Sequence, residues 1–247
     1  MARGYIERHD SYDIPYISDI KGDEDRILIV VHGFASSKES PNVNMLMREL
    51  PKNHIGVMAF DFPAHGDSPA DGDHLMVDNC TNDLKTVAEF LSAKYPGAEI
   101  CYFGSSFGAY IIMLYLMKYH IRGARVFMRS AAVDMHEFFR DLTLEQQKEM
   151  DHKGYIMLEY DNVPSLKLTR DFVEDLKHHD LFRLFTSEGN TLKMIHGSSD
   201  EDVDYSYAAD FARKFEIELI TVPGGDHRLS IPGAPEKVLE ETLSFLG

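Results

Sequence analysis

The pentapeptide Gly104-Ser105-Ser106-Phe107-Gly108 is the part of this sequence whose residue types and spacing most clearly suggest chemistry. It follows the apolar run 98–103, which is typical of a buried strand, and it opens the stretch 106–119, which is apolar almost all round and typical of a buried helix. A sharp strand-to-helix turn with glycine two residues to either side holds its central serine in a strained conformation at a helix N-terminus. We therefore predict that Ser106 is a nucleophile, although a glycine-rich turn without chemistry would have the same pattern.

A nucleophilic serine requires a base, and the base requires a group that orients it. His227 ends the segment Gly224-Gly225-Asp226-His227, which follows the predicted strand 218–222. Asp200 follows the predicted strand 192–196, so the three groups occur in the order Ser, Asp, His. We predict His227 as the base and Asp200 as the acid, against the alternative of a surface histidine. The same loop offers competing acids at Glu201, Asp202 and Asp204.

The tripeptide His32-Gly33-Phe34 follows the apolar strand 27–31 and is a candidate for a second catalytic element. Acyl transfer places negative charge on a carbonyl oxygen, which needs two hydrogen-bond donors. The backbone N–H of Phe107, next to the nucleophile, can supply one donor. The N–H of Phe34 can supply the other if Gly33 lets the loop turn toward Ser106. A tight turn without a catalytic role is the alternative, and we expect His32 itself to brace the loop.

The elements that must position these residues alternate between apolar runs and amphipathic or apolar helices, a pattern typical of a parallel sheet covered on both faces. We predict that Thr81 or Asn82 caps the helix at 81–94, and that the helix that begins near Asp204 ends near Lys214. Alternation within 5–8 and 14–17 indicates an antiparallel hairpin at the sheet edge. The predicted strands are 27–31, 55–60, 98–103, 124–128, 192–196 and 218–222, and the predicted helices are 41–50, 81–94, 106–119, 204–214 and 235–246.

The alternation stops at about 134–186, a segment rich in charge, Met, His and Tyr with two helical stretches around 154–164. We interpret it as an insertion above the sheet, within a single domain that spans 1–247. Its aromatic and Met side chains could line an apolar or aromatic acyl pocket, or could simply pack the insertion onto the body. These are Phe138, Phe139, Tyr155, Met157, Tyr160, Phe172 and Phe182. Asp134, Gln146 and Tyr160 are candidates to bind a substrate hydroxyl.

The composition excludes several classes of partner. A formal net charge of −16 repels phosphate backbones, so we expect no nucleic-acid partner, and it disfavours stable association with anionic membranes. The N-terminus has no signal-peptide pattern, and the two cysteines, Cys80 and Cys101, fit free thiols in a cytoplasmic protein. No metal-ligand spacing is present, so we expect no metal and no organic cofactor. The sequence leaves a homodimer open.

Taken together these segments resemble the α/β-hydrolase family, because they occur in the family's order across nearly the whole chain. The resemblance is greatest to the cinnamoyl/feruloyl-type esterases and the related acylglycerol lipases. It implies an α/β-hydrolase fold, a mostly parallel sheet flanked by helices, with a short lid at 134–186. The matching segments are HGF at 32–34, DFPAHGDS at 61–68, GSSFG at 104–108, HGSSDEDV at 196–203 and GGDH at 224–227.

The resemblance further implies a triad of Ser106, Asp200 and His227, with Phe34 and Phe107 as oxyanion donors. Asp61 and His65 match a loop that the family uses mainly for structure, whereas Ser105 departs from the histidine that many relatives carry before the nucleophile. The expected activity is hydrolysis of carboxylic esters through an acyl-enzyme, on small aromatic (cinnamoyl or feruloyl) or short-to-medium acyl esters. The alternatives are a thioesterase, an acyltransferase, an aminopeptidase, or a hydrolase-fold binding protein without turnover.

Overall fold

The computed structural model of the chain describes residues 1–8, 12–140, 142–160, 163–187 and 189–247. Within these ranges eight strands form one sheet and two form a separate hairpin. The strands are β1 Ala2–Ile6, β2 Ile14–Asp19, β3 Arg26–Val31, β4 Ile55–Phe60, β5 Glu99–Ser105, β6 Arg125–Arg129, β7 Tyr155–Tyr160, β8 Val163–Thr169, β9 Thr191–Gly197 and β10 Glu218–Val222.

The helices lie between the strands in the predicted order. The helices outside the segment 134–186 match the predicted ranges closely, except that the second begins at Val77 rather than at Thr81. Short 3-10 turns add one turn each at Leu50–Asn53, Gly72–His74 and Met135–Glu137. The α-helices are α1 Pro41–Glu49, α2 Val77–Lys94, α3 Phe107–Lys118, α4 Leu144–Lys153, α5 Arg170–Lys177, α6 Leu181–Leu184, α7 Tyr205–Lys214 and α8 Ala234–Leu246.

The order of strands in the large sheet is β1-β2-β4-β3-β5-β6-β9-β10. From β4 to β10 every neighbouring pair is parallel, and β1 and β2 form an antiparallel hairpin at one edge, as the alternation near the N-terminus predicts. The carboxyl ends of parallel strands meet at one edge of the sheet. Ser106, Phe34, Asp200 and His227 therefore all follow strands at the same edge, where open α/β sheets carry their sites.

Two apolar cores, one on each face, hold the sheet between its helices. On one face the helices α2 and α3 cover residues such as Ile29, and on the other α1 and α8 cover residues such as Phe127. Helix α3 is buried almost all round, because it packs on both the sheet and α2. The described residues include Cys80 and Cys101, which are unpaired and buried in these cores.

The predicted cap of the second helix is wrong, because α2 begins at Val77, one turn before Thr81. The hydroxyl of Thr81 instead donates to the carbonyl of Val77 inside the helix, at 2.9 Å. The amide of Val77 is satisfied by the carboxylate of Asp175 in α5, at 2.8 Å. A distant residue thus caps this helix, which no local capping pattern could indicate.

The segment between β6 and β9 contains the two predicted helical stretches, and it also contains an antiparallel hairpin, β7–β8, that the sequence analysis does not predict. Helices α4 and α5 flank this hairpin. Its inner side chains Ile156, Leu166 and Leu168 are buried. The alternation of apolar and polar residues that predicts a strand is hard to detect in this segment, because apolar residues such as Met157 also occupy exposed positions.

Candidate active site

Ser106 adopts the strained backbone that the pentapeptide predicts, with φ 52° and ψ −116° between β5 and α3. A residue with a side chain rarely adopts this conformation, and such strain persists only where the surroundings impose it. Its amide donates to the carbonyl of Arg129 at 2.9 Å, and its carbonyl accepts from Ala109 and Ala132 at 3.0 and 3.3 Å. Both peptide groups of Ser106 are thus held by neighbouring segments.

The two glycines of the pentapeptide are required by close backbone contacts. A Cβ on Gly108 would lie 2.2 Å from the carbonyl oxygen of Val31, and one on Gly104 would lie 2.5 Å from the Cα of Ala109. Neither neighbour is a side chain that can move aside. The first turn of α3 therefore packs directly on the end of β3, which is what turns the chain sharply at Ser106.

The loop after β3 passes against Ser106 at Gly33. A Cβ there would lie 3.3 Å from the Cβ of Ser106 and 3.9 Å from its Oγ. Among the described residues, neither the amide of Phe34 nor that of Phe107 donates to any acceptor. Two unpaired N–H groups beside a strained serine form the kind of site that binds a developing oxyanion. Phe34 and Phe107 therefore remain the predicted donors.

Two buried histidines join the loop after β3 to the loop after β4. His32 accepts the amide of Phe62 at Nε2, 3.1 Å, and its Nδ1 lies 2.8 Å from the carbonyl of Gly33. His65 in turn accepts the amide of Ala35 at Nε2, 3.0 Å, with Nδ1 on a carbonyl of its own loop. Both rings therefore carry their proton on Nδ1 and are neutral. Burial lowers the pKa of both rings, that of His65 to about 3.

A buried ion pair completes this connection and was not anticipated from the sequence. The ammonium of Lys38 binds Asp61 at 2.5 Å and Asp67 at 2.6 Å, and both Lys38 and Asp61 are buried. Asp61 also accepts the amides of Lys38 and Asp67 at 2.7 and 2.9 Å. The structural role that the resemblance implies for Asp61 and His65 thus has a physical cause: both hold the loop that carries Phe34.

The predicted base and acid are in direct contact. Nδ1 of His227 lies 2.8 Å from Oδ2 of Asp200, whose side chain is fully buried, while the His227 side chain is 16% exposed. An ionised carboxylate can only accept, so Nδ1 carries the proton and Nε2 of the neutral ring is free to take another. The competing acid Asp202 is exposed and contributes only its amide, which Asp200 accepts at 3.0 Å.

Asp200 accepts one hydrogen bond on Oδ2, from His227, and two on Oδ1, from the amides of Asp202 and Val203 at 3.0 and 2.8 Å. Nε2 of His196 is hydrogen-bonded to the carbonyl of Val203 at 3.1 Å and lies 2.9 Å from Oδ2 of Asp200. Burial opposes ionisation of Asp200, but these donors outweigh it and hold the pKa of the carboxyl well below its usual range. His196, expected to brace its loop, bonds that loop at Val203 and also contacts the carboxylate of Asp200.

The loops that carry Asp200 and His227 are packed against each other through glycine. A Cβ on Gly197 would lie 2.2 Å from the carbonyl oxygen of Gly225. The amide of Ser199 donates to that same carbonyl at 3.0 Å, and the hydroxyl of Ser198 accepts the amide of Gly224 at 2.8 Å. The side-by-side strands β9 and β10 thus continue into two loops with little freedom to separate.

Ser106 and His227 are not joined by a hydrogen bond in the described part of the chain. They are instead attached to the same short segment at the end of β6. The amide of Ser106 donates to the carbonyl of Arg129, while the guanidinium of Arg129 and the hydroxyl of Ser130 donate to the carbonyl of His227 at 3.1 and 2.8 Å. Catalytic hydrogen bonds between a nucleophile and its base often form only when substrate is bound.

The three candidates for substrate contacts differ in their surroundings. The carboxyl of Asp134 is half-buried, which raises its pKa, and it lies close enough to Asp204 for repulsion between the two carboxylates. Tyr160, 37% exposed, has its pKa raised by burial and by Asp202. The oxygen of Gln146 accepts the amide of Thr143 at 2.9 Å in a capping box at the start of α4. Contact of any of the three with substrate stays a prediction.

An aromatic cluster covers Phe34 from the side of the insertion. The Phe34 ring lies 5.3 Å from Phe139 and 6.5 Å from Phe138, and it stacks on Phe172 at 6.2 Å. Phe139 and Phe172 are buried, whereas Phe138 is 42% exposed. The insertion thus packs onto the body through Phe139 and Phe172 and presents the ring of Phe138 outward beside the predicted oxyanion loop. Phe182 packs elsewhere, on Phe211 of α7.

The sheet, its two helical layers and the turn at Ser106 define the α/β-hydrolase fold, and solved structures share it over their full length. A putative hydrolase from Agrobacterium vitis S4 is similar with a TM-score of 0.84, 18% identity, and coverage of 100% of this chain and 98% of that chain. Est1E from Butyrivibrio proteoclasticus, solved with ferulic acid bound, is similar with a TM-score of 0.79 and 19% identity, and the match covers 98% of this chain and 99% of that chain. Mouse alpha/beta hydrolase domain-containing protein 10 is similar with a TM-score of 0.76 and 16% identity, and the match covers 100% of both chains.

Residues 22–152 match the model of the family described as serine aminopeptidase, S33. This match covers more than half of the chain, and the chain therefore belongs to that hydrolase family. The matched range includes Phe34 and Ser106 but ends before Asp200 and His227. No curated protein matches the chain. Within the described ranges, no helix combines the length and the apolar character needed to cross a bilayer.

The neutral state of His65 predicts a specific pH dependence of stability. The folded protein keeps this ring neutral down to about pH 3, whereas the unfolded chain takes up a proton below its ordinary pKa of 6.5. Stability is therefore lost as the pH falls from 6.5 toward 3. We expect the free energy of urea unfolding to fall between pH 7 and pH 5 by about 2 kcal/mol more in the wild type than in His65→Gln.

The comparison with a variant is needed because other groups titrate in the same range. The buried carboxyl of Asp83, whose pKa is raised to about 7, opposes the loss of stability as the pH falls. His32, whose pKa is lowered, adds to that loss. A Gln oxygen at 65 can accept the amide of Ala35 without titrating. His152→Gln, at an exposed position of α4, is the matched control and should behave as the wild type. Equal losses in the wild type and His65→Gln would contradict the neutral, buried role of His65.

Proposed function

We propose that this protein is a serine carboxylic-ester hydrolase in which Ser106, His227 and Asp200 act as the triad. The observation that carries the proposal is the conformation of Ser106, a strained serine at the start of a buried helix, beside two unpaired amides. The pair His227–Asp200, at the same edge of the sheet, supports it. Family membership supports hydrolysis in general, and the finer reaction is inferred from these groups.

In the proposed reaction, Nε2 of His227 takes the proton of Ser106 as its Oγ attacks the ester carbonyl carbon. The carbonyl oxygen becomes negative and accepts hydrogen bonds from the amides of Phe34 and Phe107, each worth about 3 kcal/mol of the barrier. The tetrahedral intermediate then expels the alcohol, which receives the proton from His227. Water attacks the acyl-enzyme with the help of the same base, and the carboxylic acid leaves.

Asp200 fits the role of the orienting acid because its three hydrogen bonds and the contact with His196 keep it ionised. The ionised carboxylate holds the proton of His227 on Nδ1, which leaves Nε2 unprotonated and able to accept the proton of the serine. It also stabilises the imidazolium that forms when His227 accepts the serine proton. The donors from His196 and from the backbone fix the carboxylate plane, which fixes the direction of the ring.

For the acyl group we propose a small aromatic or a short-to-medium acyl chain. The exposed ring of Phe138 and the edge of Phe34 offer an apolar surface beside the oxyanion loop. Est1E, with ferulic acid bound, has the same fold over its whole length and supports an aromatic acyl group. An aminopeptidase is the second candidate, because the family description names that activity.

The substitution Ser106→Ala tests the nucleophile. It should abolish ester hydrolysis and covalent labelling by a fluorophosphonate probe. The melting temperature should stay within a few degrees of that of the wild type, because alanine replaces serine in the same backbone. Ser92→Ala, on the exposed side of α2, serves as the control and should label fully. Retained hydrolysis in Ser106→Ala would refute the assignment.

Two neighbouring acids allow a matched test of the third member of the triad. Asp200→Asn can no longer hold the correct tautomer of His227, so kcat should fall by about 10⁴-fold. Asp202→Asn makes the same chemical change two residues away on an exposed side chain, and kcat should stay near that of the wild type. The opposite order of effects would identify Asp202 as the acid.

A panel of substrates tests the acyl preference. We expect kcat/KM to be highest for methyl ferulate and short p-nitrophenyl esters, and low for acyl-CoA thioesters and aminoacyl amides. A thioesterase would reverse the order between oxygen esters and acyl-CoA, and an aminopeptidase would prefer the aminoacyl amides. Phe138→Ala should raise KM for the aromatic ester more than for p-nitrophenyl acetate, whose acyl group is too short to reach this ring.

A further inference from the structure

Arg129, the last residue of β6, is a buried cation to which the triad assigns no role. It is 8% exposed, and within the described ranges no carboxylate forms an ion pair with it. Burial lowers the pKa of its guanidinium to about 10, against the opposing effect of Asp200 and Asp226, so the guanidinium remains charged at neutral pH. A buried charge without a paired partner is costly and is seldom retained without a function.

The hydrogen bonds of this guanidinium lead to the two sides of the site. Nε and Nη2 both donate to the hydroxyl of Ser105, the first at 3.0 Å, and Nη1 donates to the carbonyl of His227 at 3.1 Å. Ser105 directly precedes Ser106, and it is the register partner of Arg129 in the parallel pair β5–β6. The two side chains therefore stand next to each other on one face of the sheet.

The carbonyl of His227 is the point at which this bridge acts on the base. It accepts from Arg129 and also from the hydroxyl of Ser130, at 2.8 Å. Both donors belong to the segment whose carbonyl, at Arg129, accepts the amide of Ser106. Because no direct hydrogen bond joins the serine to the histidine, this segment is a direct structural link between them, in addition to the contacts that hold His227 on Asp200.

From this juxtaposition we infer that Arg129 is a positioning residue, which links the strand of the nucleophile through Ser105 to the backbone of the base at His227. The inference rests on the proposed function, in which His227 must reach Ser106. A charged fork is suited to the task, since it can bind two oxygen acceptors in fixed directions at once. The hydroxyl of Ser105 gives the guanidinium an acceptor in the residue next to the nucleophile.

The kinetic test compares Arg129→Met with Arg129→Lys. Loss of the bridge in Arg129→Met should lower kcat on p-nitrophenyl acetate by about 10–100-fold, since small displacements of a catalytic group have effects of this size. KM should stay within about threefold, because no substrate contact is removed. Arg129→Lys keeps one charged donor and should recover a substantial part of kcat. Equal losses in the two variants, or an unchanged kcat in Arg129→Met, would overturn the inference.

Arg125→Met is the matched control, since it removes an arginine from the other end of the same strand. Arg125 is 38% exposed and pairs with Glu99 at 3.0 Å, far along β6 from the site. Its kcat should equal that of the wild type. Ser105→Ala removes the acceptor but keeps the cation, so its kcat should lie between those of the wild type and Arg129→Met. A kcat of Ser105→Ala equal to that of the wild type would show that Ser105 has no part in the bridge.

A second measurement does not depend on turnover and covers the case in which Arg129→Met is unstable. The proton on Nδ1 of His227 should give a low-field proton NMR resonance because of its hydrogen bond to Asp200, assigned by its loss in His227→Gln. This resonance should broaden or shift in Arg129→Met and Arg129→Lys and persist in Arg125→Met. An unchanged resonance in Arg129→Lys overturns the positioning role, and so does an unchanged resonance in Arg129→Met when that variant folds. Failure of the wild type to react with a fluorophosphonate refutes the proposed function separately.

Discussion

The close approach of the first turn of α3 to the end of β3 is the constraint on which the site depends. With Gly108 in backbone contact with Val31, the chain must turn sharply at Ser106, and the side chain of Ser106 is set against the loop at Gly33. The same contact brings the amides of Phe107 and Phe34 to the serine. Any side chain at 108 would push the helix away from the strand and would relax the strain at Ser106 together with the donor geometry.

Around this contact, the loops at the sheet edge are held by buried polar groups rather than by apolar packing. His32, His65 and the pair Lys38–Asp61 fix the loop of Phe34. Asp200, held by two backbone amides and by the contact with His196, fixes His227. Such groups are stable only when each donor and acceptor is satisfied, so each of them admits one arrangement. This directional fixing is what a site needs if it is to act on a transition state without rearrangement.

The insertion contributes a different kind of contact. Its buried rings, Phe139 and Phe172, attach it to the body beside Phe34, and Asp175 in the same segment satisfies the first amide of α2. The exposed ring of Phe138 lies next to this anchored region. The surface of this segment can therefore vary while the groups at the sheet edge keep their geometry.

The sequence by itself determined the sheet, its helices and the order of the site loops, because apolar periodicity and glycine spacing are local properties of the chain. It also singled out Asp200 among four acids by its distance from β9. It could not indicate the hairpin β7–β8, the cap of α2 by Asp175, or the contacts of His196 and Arg129. Those depend on residues far apart along the chain, which only the packing of the sheet edge brings within hydrogen-bond distance.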